Sequence, residues 1–479
     1  MDLKKEFVTG FFWASSASGL AKAIDLIAMI VLARLLDPTI FGLIAIALLI
    51  TNTLNIFSDL GLGAALIQKR NPTEDDNDTI FLVTPVLNLV IYIIAYLLAG
   101  PAGIFFGNEN VVSIIKVLSL ILIINSLRTV PSALLQKELR YKKLFITEVS
   151  SSITYFLVAV PLALSGMGVW SIVFGQLARY SAHGILLWTV SHWRPRWNFR
   201  WDSFRSLYGF GKHIVVLSVI SFILKNLDNA VIAKFLTLGD LGLYTMAYTA
   251  GNILPQFIKM TIGKITFPFY SNWNEDHSNF KMRFLLINKI NMFFCVWITL
   301  ILITTSNIII PILLGKKWAG TILLIQILAL SGFQRAIASV YAPALNAIGV
   351  PQAQREPAIL SSLIFVPLII PVTKFFGVEG VAVLAATSII PGFIWTVYRT
   401  FSLIGLKEEL VRFFSPVLIG GIILAFWMFI DSYLAFGLLL NLIITFSVVS
   451  IIFVVAMWFI KKEIFSQIYG VLNIIREIV

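Results

Sequence analysis

Charge is scarce in this 479-residue chain: Asp, Glu, Lys and Arg together make up 13%, about half of what soluble domains carry. A soluble protein with 58% hydrophobic residues would expose far too much apolar surface. Cysteine is nearly absent. Cys295 stands alone inside the apolar run Ile290–Ile303, which excludes a disulfide framework or thiolate cluster and leaves a small core hydrophobe. The four histidines, His183, His192, His213 and His277, are scattered without metal-ligand spacing, so no metal site is expected. There is no Gly-rich phosphate loop ending in Gly-Lys-Ser/Thr, so ATP-driven pumping has no site. Long polar loops are missing too. That leaves no room for paired carboxylates or a histidine cluster on the outer side, and no catalytic residues or cofactor are expected.

What fills the chain is hydrophobic sequence. A membrane span needs about 20 apolar residues, and about fourteen stretches qualify. They lie near 8–35, 40–66, 79–105, 111–134, 144–166, 168–190, 208–237, 241–270, 282–311, 319–348, 353–375, 378–404, 412–430 and 433–460. Breakers such as Asp37-Pro38, Gly107-Asn108, Gly166-Met167-Gly168 and Gly315-Lys316-Lys317 separate them. The reading is an all-α integral membrane protein. The basic N-terminus leads into an apolar run that continues through Leu36, long enough to span rather than be cleaved as a signal.

The positive-inside rule orients the spans. With the N-terminus in the cytoplasm, inner segments hold Lys4, Lys5, Lys69, Arg70, Lys137, Arg140, Lys142, Lys143, Arg194, Arg196, Arg200, Arg205 and many later cations. Outer segments hold only Arg34, Lys316, Lys317 and Lys374. Both termini are then cytoplasmic. The net charge of +12 reflects this topology and contact with anionic membrane lipids, not a nucleic-acid footprint.

The longest polar connection is Ser191–Ser206, in which Trp193, Trp197 and Trp201 alternate with arginines. Such a segment suits the inner membrane surface, and it divides the chain nearly in half. An internal repeat supports two halves. Leu32–Leu36 ahead of Phe41-Gly42-Leu43 matches Ile232–Leu236 ahead of Leu241-Gly242-Leu243, and Asn52 matches Asn252 on the same offset of 200. Leu118-Ser119 and Pro131 match Leu330-Ser331 and Pro343 at an offset of 212. The expected organisation is two six-helix lobes in parallel repeat, 1–195 and 196–405, followed by a C-terminal helix pair and basic tail, 406–479.

Several cations fall well inside spans: Lys22, Arg128, Arg179, Lys225, Lys259 and Arg335. A cation at the bilayer centre costs at least about 2.5–3.5 kcal/mol, so such residues face an internal site or a partner. Lys22 and Asp25 are three apart on one span, as are Lys225 and Asp228 on another, so each pair can neutralise itself. Arg128 has Asp59 at similar depth. Arg179, Lys259 and Arg335 have no acidic residue on their own spans, so their partner comes from another helix or from a ligand. Lys116, Lys212, Lys234, Lys264 and Lys289 sit nearer span ends and can snorkel. The acids inside spans are fewer: Asp25, Asp59, Glu148 and Asp228. A cationic cavity for an anion follows, with arginines offering forked donors to phosphate oxygens. Internal prolines, among them Pro255 and Pro343 near Lys259 and Arg335, are candidate hinges.

Several stretches resemble the polysaccharide transporter family: VLARLLDPTIFGLIAIALLI at Val31–Ile50, FSDLGLGAALIQKR at Phe57–Arg70, PSALLQKELRYKKL at Pro131–Leu144, GVWSIVFGQLAR at Gly168–Arg179, TLGDLGLY at Thr237–Tyr244 and LLGKKW at Leu313–Trp318. The likeness covers nearly the full length and is strongest to the colanic-acid-exporter branch. This family includes the Wzx-type O-antigen flippases. It belongs to the MOP superfamily, with the MurJ-type lipid II flippases and the MATE drug transporters. The resemblance implies a fourteen-span flippase in a bacterial or archaeal cytoplasmic membrane. It would move undecaprenyl-diphosphate-linked oligosaccharides of lipopolysaccharide or related polysaccharides by alternating access. It also implies a polysaccharide polymerase and assembly proteins as partners, and a lipid-tail groove beside the last two spans. On that view Arg179, Lys259, Arg335, Lys22, Lys225 and Arg128 bind the substrate, while Asp25, Asp59 and Asp228 are charge or coupling partners. Two rivals remain: a MATE-like multidrug exporter, which would want an acidic cavity for cationic drugs, and a membrane oligosaccharide polymerase or ligase.

Overall fold

In the computed structural model the chain is almost wholly helical. The structure describes residues 3–256, 258, 270, 277–431 and 438–460, with side chains in the first helix described from Gly19 onward. No strand occurs among these residues. Two compact units are present, Met1–Thr245 and Met246–Val479.

The first unit begins with α1 (Leu3–Leu35) and α2 (Pro38–Asn55). Pro38 opens α2, where its fixed φ suits the first turn and its missing N–H costs nothing. A tight turn then leads to the short α3 (Leu62–Gln68). Leu60 and Gly61 are both left-handed there, at φ 49 and 73. The Asp59 carboxylate holds the turn by accepting from the Gly61 N–H at 2.9 Å. The other end of α3 is closed by Lys137, whose ammonium donates to the carbonyls of Leu66 (3.2 Å), Ile67 (3.3 Å) and Lys69. A cation on orphan C-terminal carbonyls is favoured by the helix dipole.

Helix α4 (Glu74–Phe106) starts with a capping box between Thr73 and Asp76 and stops at Gly107 in the left-handed region, φ 68. Next come α5 (Asn110–Leu118), α6 (Leu120–Ser126) and α7 (Thr129–Lys137). They form one broken span bent by 47° at Leu127-Arg128. The hairpin of α8 (Tyr141–Leu164) and α9 (Val169–Val190) turns through Gly166 and Gly168, both at positive φ. Helix α8 packs on both α1 and α9. Gly175 lets α9 approach closely: a Cβ there would lie 2.7 Å from that of Ala159.

Residues 191–200 are not helical and form a strap over the N-terminal end of α4. The Arg196 N–H donates to Asp78 Oδ1 at 3.0 Å, the Arg200 N–H to Thr79 Oγ1 at 3.0 Å and the Asn198 amide to Asp75 at 2.8 Å. Arg196–Glu74 and Arg200–Asp75 add ion pairs at 2.8 and 3.3 Å. Trp188, Trp193 and Trp197 stand edge-on around Phe81 at 5.6–6.0 Å. The polar connection is therefore fastened to the first half of the chain. So is the helix after it, α10 (Trp201–Phe235), which packs on α2, α3 and α4. The first compact unit includes α10 and runs on to Thr245; Gly211 and Gly242 seat α10 and the start of α11 (Leu238–Gly251) directly on the α2–α3 segment.

In the second unit α12 (His277–Leu313) is central. It packs on α13 (Thr321–Ala347), α16 (Leu410–Asp431) and α17 (Leu438–Ile460). The remaining helices are α14 (Arg355–Thr387), interrupted at Gly377, and α15 (Ile389–Ile404). Buried Phe284, Cys295, Tyr341, Phe401 and Phe453 form the core. The C-terminal pair joins it through Phe453 against Phe293 at 5.2 Å and Ser450 accepting from Trp297 Nε1 at 3.1 Å.

The helix ends echo the internal repeat: α1 and α10 finish at Leu35 and Phe235, and α2 and α11 begin at Pro38 and Leu238. Among the described residues seven stretches are long and apolar enough to cross a membrane, eight when the bent α5–α7 segment counts as one. One of the seven, Pro351–Ile404, is 54 residues long and holds both α14 and α15. The protein is a multi-span, all-helical membrane protein.

Candidate functional site

In the first unit, α1, α8 and α9 bring Asp25, Ser152 and Arg179 together. The Arg179 guanidinium forks onto both Asp25 oxygens, at 3.0 and 3.1 Å, and donates to Ser152 Oγ at 3.2 Å. Both charged side chains keep 27% of their exposure, so water screens the pair only in part. The sequence reading set Asp25 against Lys22 on the same helix. In the structure Lys22 is exposed, and Asp25 turns to the arginine of another helix. Planar bidentate geometry favours Arg over Lys for a carboxylate.

Arg128 lies where α6 breaks into α7. It stacks over the ring of Tyr180 at 5.1 Å, and its charged neighbour is Arg179. Its guanidinium has neither a hydrogen bond nor an ion pair among the described residues, although it is only half exposed. Asp59, its expected partner, is instead spent on the turn before α3. His183 sits beside both arginines, and Tyr155 beside the Arg179–Asp25 pair. The cluster thus sets two guanidinium groups against one carboxylate. An aromatic face can hold a cation of this kind, but it neutralises none of its charge.

Sequence reasoning missed Ser152, Tyr180 and His183. The signal was helical spacing: Arg179, Tyr180 and His183 share one flank of α9 at i, i+1 and i+4.

The second unit holds Arg335 on α13. Its guanidinium donates to the Tyr248 hydroxyl at 2.6 Å and to Asn252 Oδ1 at 3.2 Å, and lies 5.2 Å from the Tyr248 ring centre. Both partners are neutral, so among the described residues its charge is oriented but not cancelled. The two helices meet closely here because Gly332 faces the Gly251 carbonyl, with no room for a Cβ. Asn252 was marked only as a repeat position, and Tyr248 stands one turn before it.

The other candidates are dispersed. Lys225 is exposed. Asp228 is buried and accepts from the Tyr244 hydroxyl at 2.8 Å and the Asn229 N–H at 2.8 Å. Lys259 and Lys264 lie outside the described residues. Lys116 stands over the Tyr96 ring at 4.2 Å, and Lys234 donates to the Phe105 carbonyl at 2.5 Å. These two are cations near helix ends that have found carbonyls and aromatic faces.

The family described as polysaccharide biosynthesis protein matches residues 31–323. The chain is similar to the lipopolysaccharide biosynthesis protein WzxC of Escherichia coli (strain K12), at 24% identity over 80% of this chain and 78% of that protein. It is also similar to the succinoglycan biosynthesis transport protein ExoT of Rhizobium meliloti (strain 1021), at 24% identity over 67% of this chain and 65% of that one. Among solved structures, the lipid II flippase MurJ in an inward closed conformation superposes with a TM-score of 0.77 at 15% identity. That match covers 94% of this chain and 99% of that chain, and it shows the fold.

Proposed function

Because the chain belongs to the polysaccharide biosynthesis protein family, we propose that it is a transporter that moves a lipid-linked anionic oligosaccharide from the inner to the outer leaflet by alternating access. The observation that carries this reading is Arg128: a half-buried guanidinium without a hydrogen bond or ion pair among the described residues, beside a second arginine that has one carboxylate between them. A charge held in that way inside a membrane helix bundle lacks an anion, and a diphosphate head group supplies one. Asp25 then acts as a stand-in anion. It keeps Arg179 extended and poised, and yields it when phosphate oxygens arrive. In the second unit Arg335, oriented by two neutral groups, is a separate candidate contact for an anion. Lys259, Lys22 and Lys225 are the remaining candidates from the sequence.

The chain works in a cytoplasmic membrane with both termini inside, through fourteen spans in two six-helix lobes and a C-terminal pair. A polysaccharide polymerase and assembly proteins use its product. A membrane potential negative inside favours outward movement of anions by about 2.3 kcal/mol per charge per 100 mV, so it can drive the step without a nucleotide site.

The test is a flipping assay in proteoliposomes with a fluorescent prenyl-diphosphate oligosaccharide. Arg128→Gln combined with Arg335→Gln is expected to slow flipping at least about tenfold, since the loss of even one of the two charge-assisted contacts is worth that much. Unchanged flipping in that variant, or efflux of cationic dyes in place of the anionic lipid, overturns the reading.

A further inference from the structure

The first three turns of α10 carry two faces of opposite character. On one, Leu207 is buried with Leu62, Leu66, Ile80 and Phe81, Phe204 packs against that cluster, and Gly211 closes on Leu60 and Gly61. On the other stand Trp201, Arg205, Tyr208 and Lys212. Their spacing of four, three and four residues puts them on one stripe of the helix. Trp201 is 63% exposed and Tyr208 39%, and both cations are exposed as well. The Arg205 and Lys212 side chains have neither a hydrogen bond nor an ion pair among the described residues. In the adjoining strap Arg196 and Arg200 are already taken by Glu74 and Asp75, and Arg194 by the carbonyls of Ser191 and Trp193. The free positive charge at this end of α10 therefore belongs to the stripe; the exposed Asp202 carboxylate stands off it, three residues before Arg205.

The geometry points to a docking face for the head group of an anionic bilayer lipid, such as phosphatidylglycerol, in the leaflet where α10 enters the membrane. Three arguments favour this occupant. First, aromatic rings with a polar edge settle at the head-group level, and a cation one turn away meets the phosphate there. Second, eleven residues of helix rise about 16 Å. That carries Lys212 past the head-group zone into the top of the hydrocarbon, from where its stem reaches back to the phosphates. Third, the stripe carries no amide, hydroxyl or carboxylate apart from the Tyr208 phenol. It offers charge and aromatic surface but no polar set able to read a sugar. Because the opposite face of the same turns is fixed to α3 and α4, a lipid bound here holds the strap and α10 at a set depth. The inference does not depend on which substrate is carried.

The test uses the full-length protein in nanodiscs of phosphatidylcholine with one quarter phosphatidylglycerol. In one sample the phosphatidylglycerol is brominated, and in the other an equal share of the phosphatidylcholine. The fluorescence of Trp201 is taken as the difference between the protein and its Trp201→Phe variant. Brominated phosphatidylglycerol is expected to quench this share more strongly, matching about tenfold enrichment at two exposed cations. The preference should fade at 1 M salt, and disappear in Arg205→Gln/Lys212→Gln, whose melting temperature in pure phosphatidylcholine should match that of the parent. Equal quenching by the two brominated lipids in the parent protein overturns the proposal, whether or not the variant folds. So does a preference that survives the double substitution. Failure of flipping with intact lipid preference would count against the transport reading alone.

Discussion

Gly42 and Gly242 are packed reciprocally: Gly42 lies on the carbonyl of Leu238, and Gly242 lies on the carbonyl of Pro38. Each glycine meets the residue that opens the other's helix, at the 200-residue offset of the repeat. Neither position has room for a Cβ, so Gly42→Ala or Gly242→Ala must push α2 and α11 apart. Overpacking of this kind costs about 1–3 kcal/mol. Gly239→Ala is the control, since its nearest neighbours would be at 3.6 and 3.8 Å. It should be neutral or slightly stabilising, as Ala replaces Gly in a helix. Thermal melting of the three purified variants checks the contrast.

The 200-residue offset between these glycines could be read from the chain, but not their contact. Helix ends are written by nearby residues: Pro38 after Asp37, the capping Thr73 with Asp76, Gly107 and Gly405 as left-handed stops. Of these, Asp37-Pro38 and Gly107-Asn108 read as breaks in the sequence, and α2 begins and α4 ends there. The charge pairs were not legible in the same way. Asp25 and Arg179 are 154 residues apart, and nothing near either one names the other. Reading Lys22 as the partner of Asp25 followed from helical spacing, which ranks only neighbours on the same helix. Lys137 was counted as an inner-surface cation, yet it serves the end of α3, because orphan carbonyls show in a sequence only once the helix end is known. The strap was expected at the membrane surface. That its backbone is fastened to the acidic start of α4 depends on a turn at Trp197, held at φ 61, that composition does not disclose.

The Arg179–Asp25 pair is only partly screened, so losing one partner leaves the other stranded. The separate costs of Asp25→Ala and Arg179→Ala, added together, should exceed the cost of the double substitution, because the pair is lost only once. A double-mutant cycle on denaturation free energies should give a coupling of about 1–3 kcal/mol, the range for interacting neighbours. Additive effects would mean that the pair contributes nothing beyond its two side chains.

Lys137 meets three carbonyls at the C-terminus of α3. Lys137→Met keeps the length and apolar stem but removes the donors. It should cost about 1–2 kcal/mol, combining lost charge-assisted hydrogen bonds with the dipole interaction. Lys316→Met is the comparison, on an exposed lysine, and is expected within about 0.5 kcal/mol of the parent. The difference in melting temperature between the two variants is the measurement.

The strap is held by backbone donors more than by its ion pairs. Asp78 is buried, accepts from the Arg196 N–H through Oδ1 at 3.0 Å, and leaves Oδ2 without a hydrogen-bond partner. Asp78→Ala removes the acceptor and orphans that N–H, at a cost of about 1 kcal/mol or more. The strap should then open about fivefold more often, and trypsin should cut after Arg196 and Arg200 faster by the same factor. Asp78→Asn keeps an accepting oxygen and removes a buried charge with one oxygen unsatisfied, so its cleavage rate should match or fall below that of the parent. Glu74→Gln breaks only the ion pair to Arg196, in which the two side chains are 54% and 69% exposed. Exposed pairs contribute little, so this variant should leave the rate unchanged. If Glu74→Gln instead accelerates cleavage as much as Asp78→Ala, the strap is held by surface charge and not by its backbone hydrogen bonds.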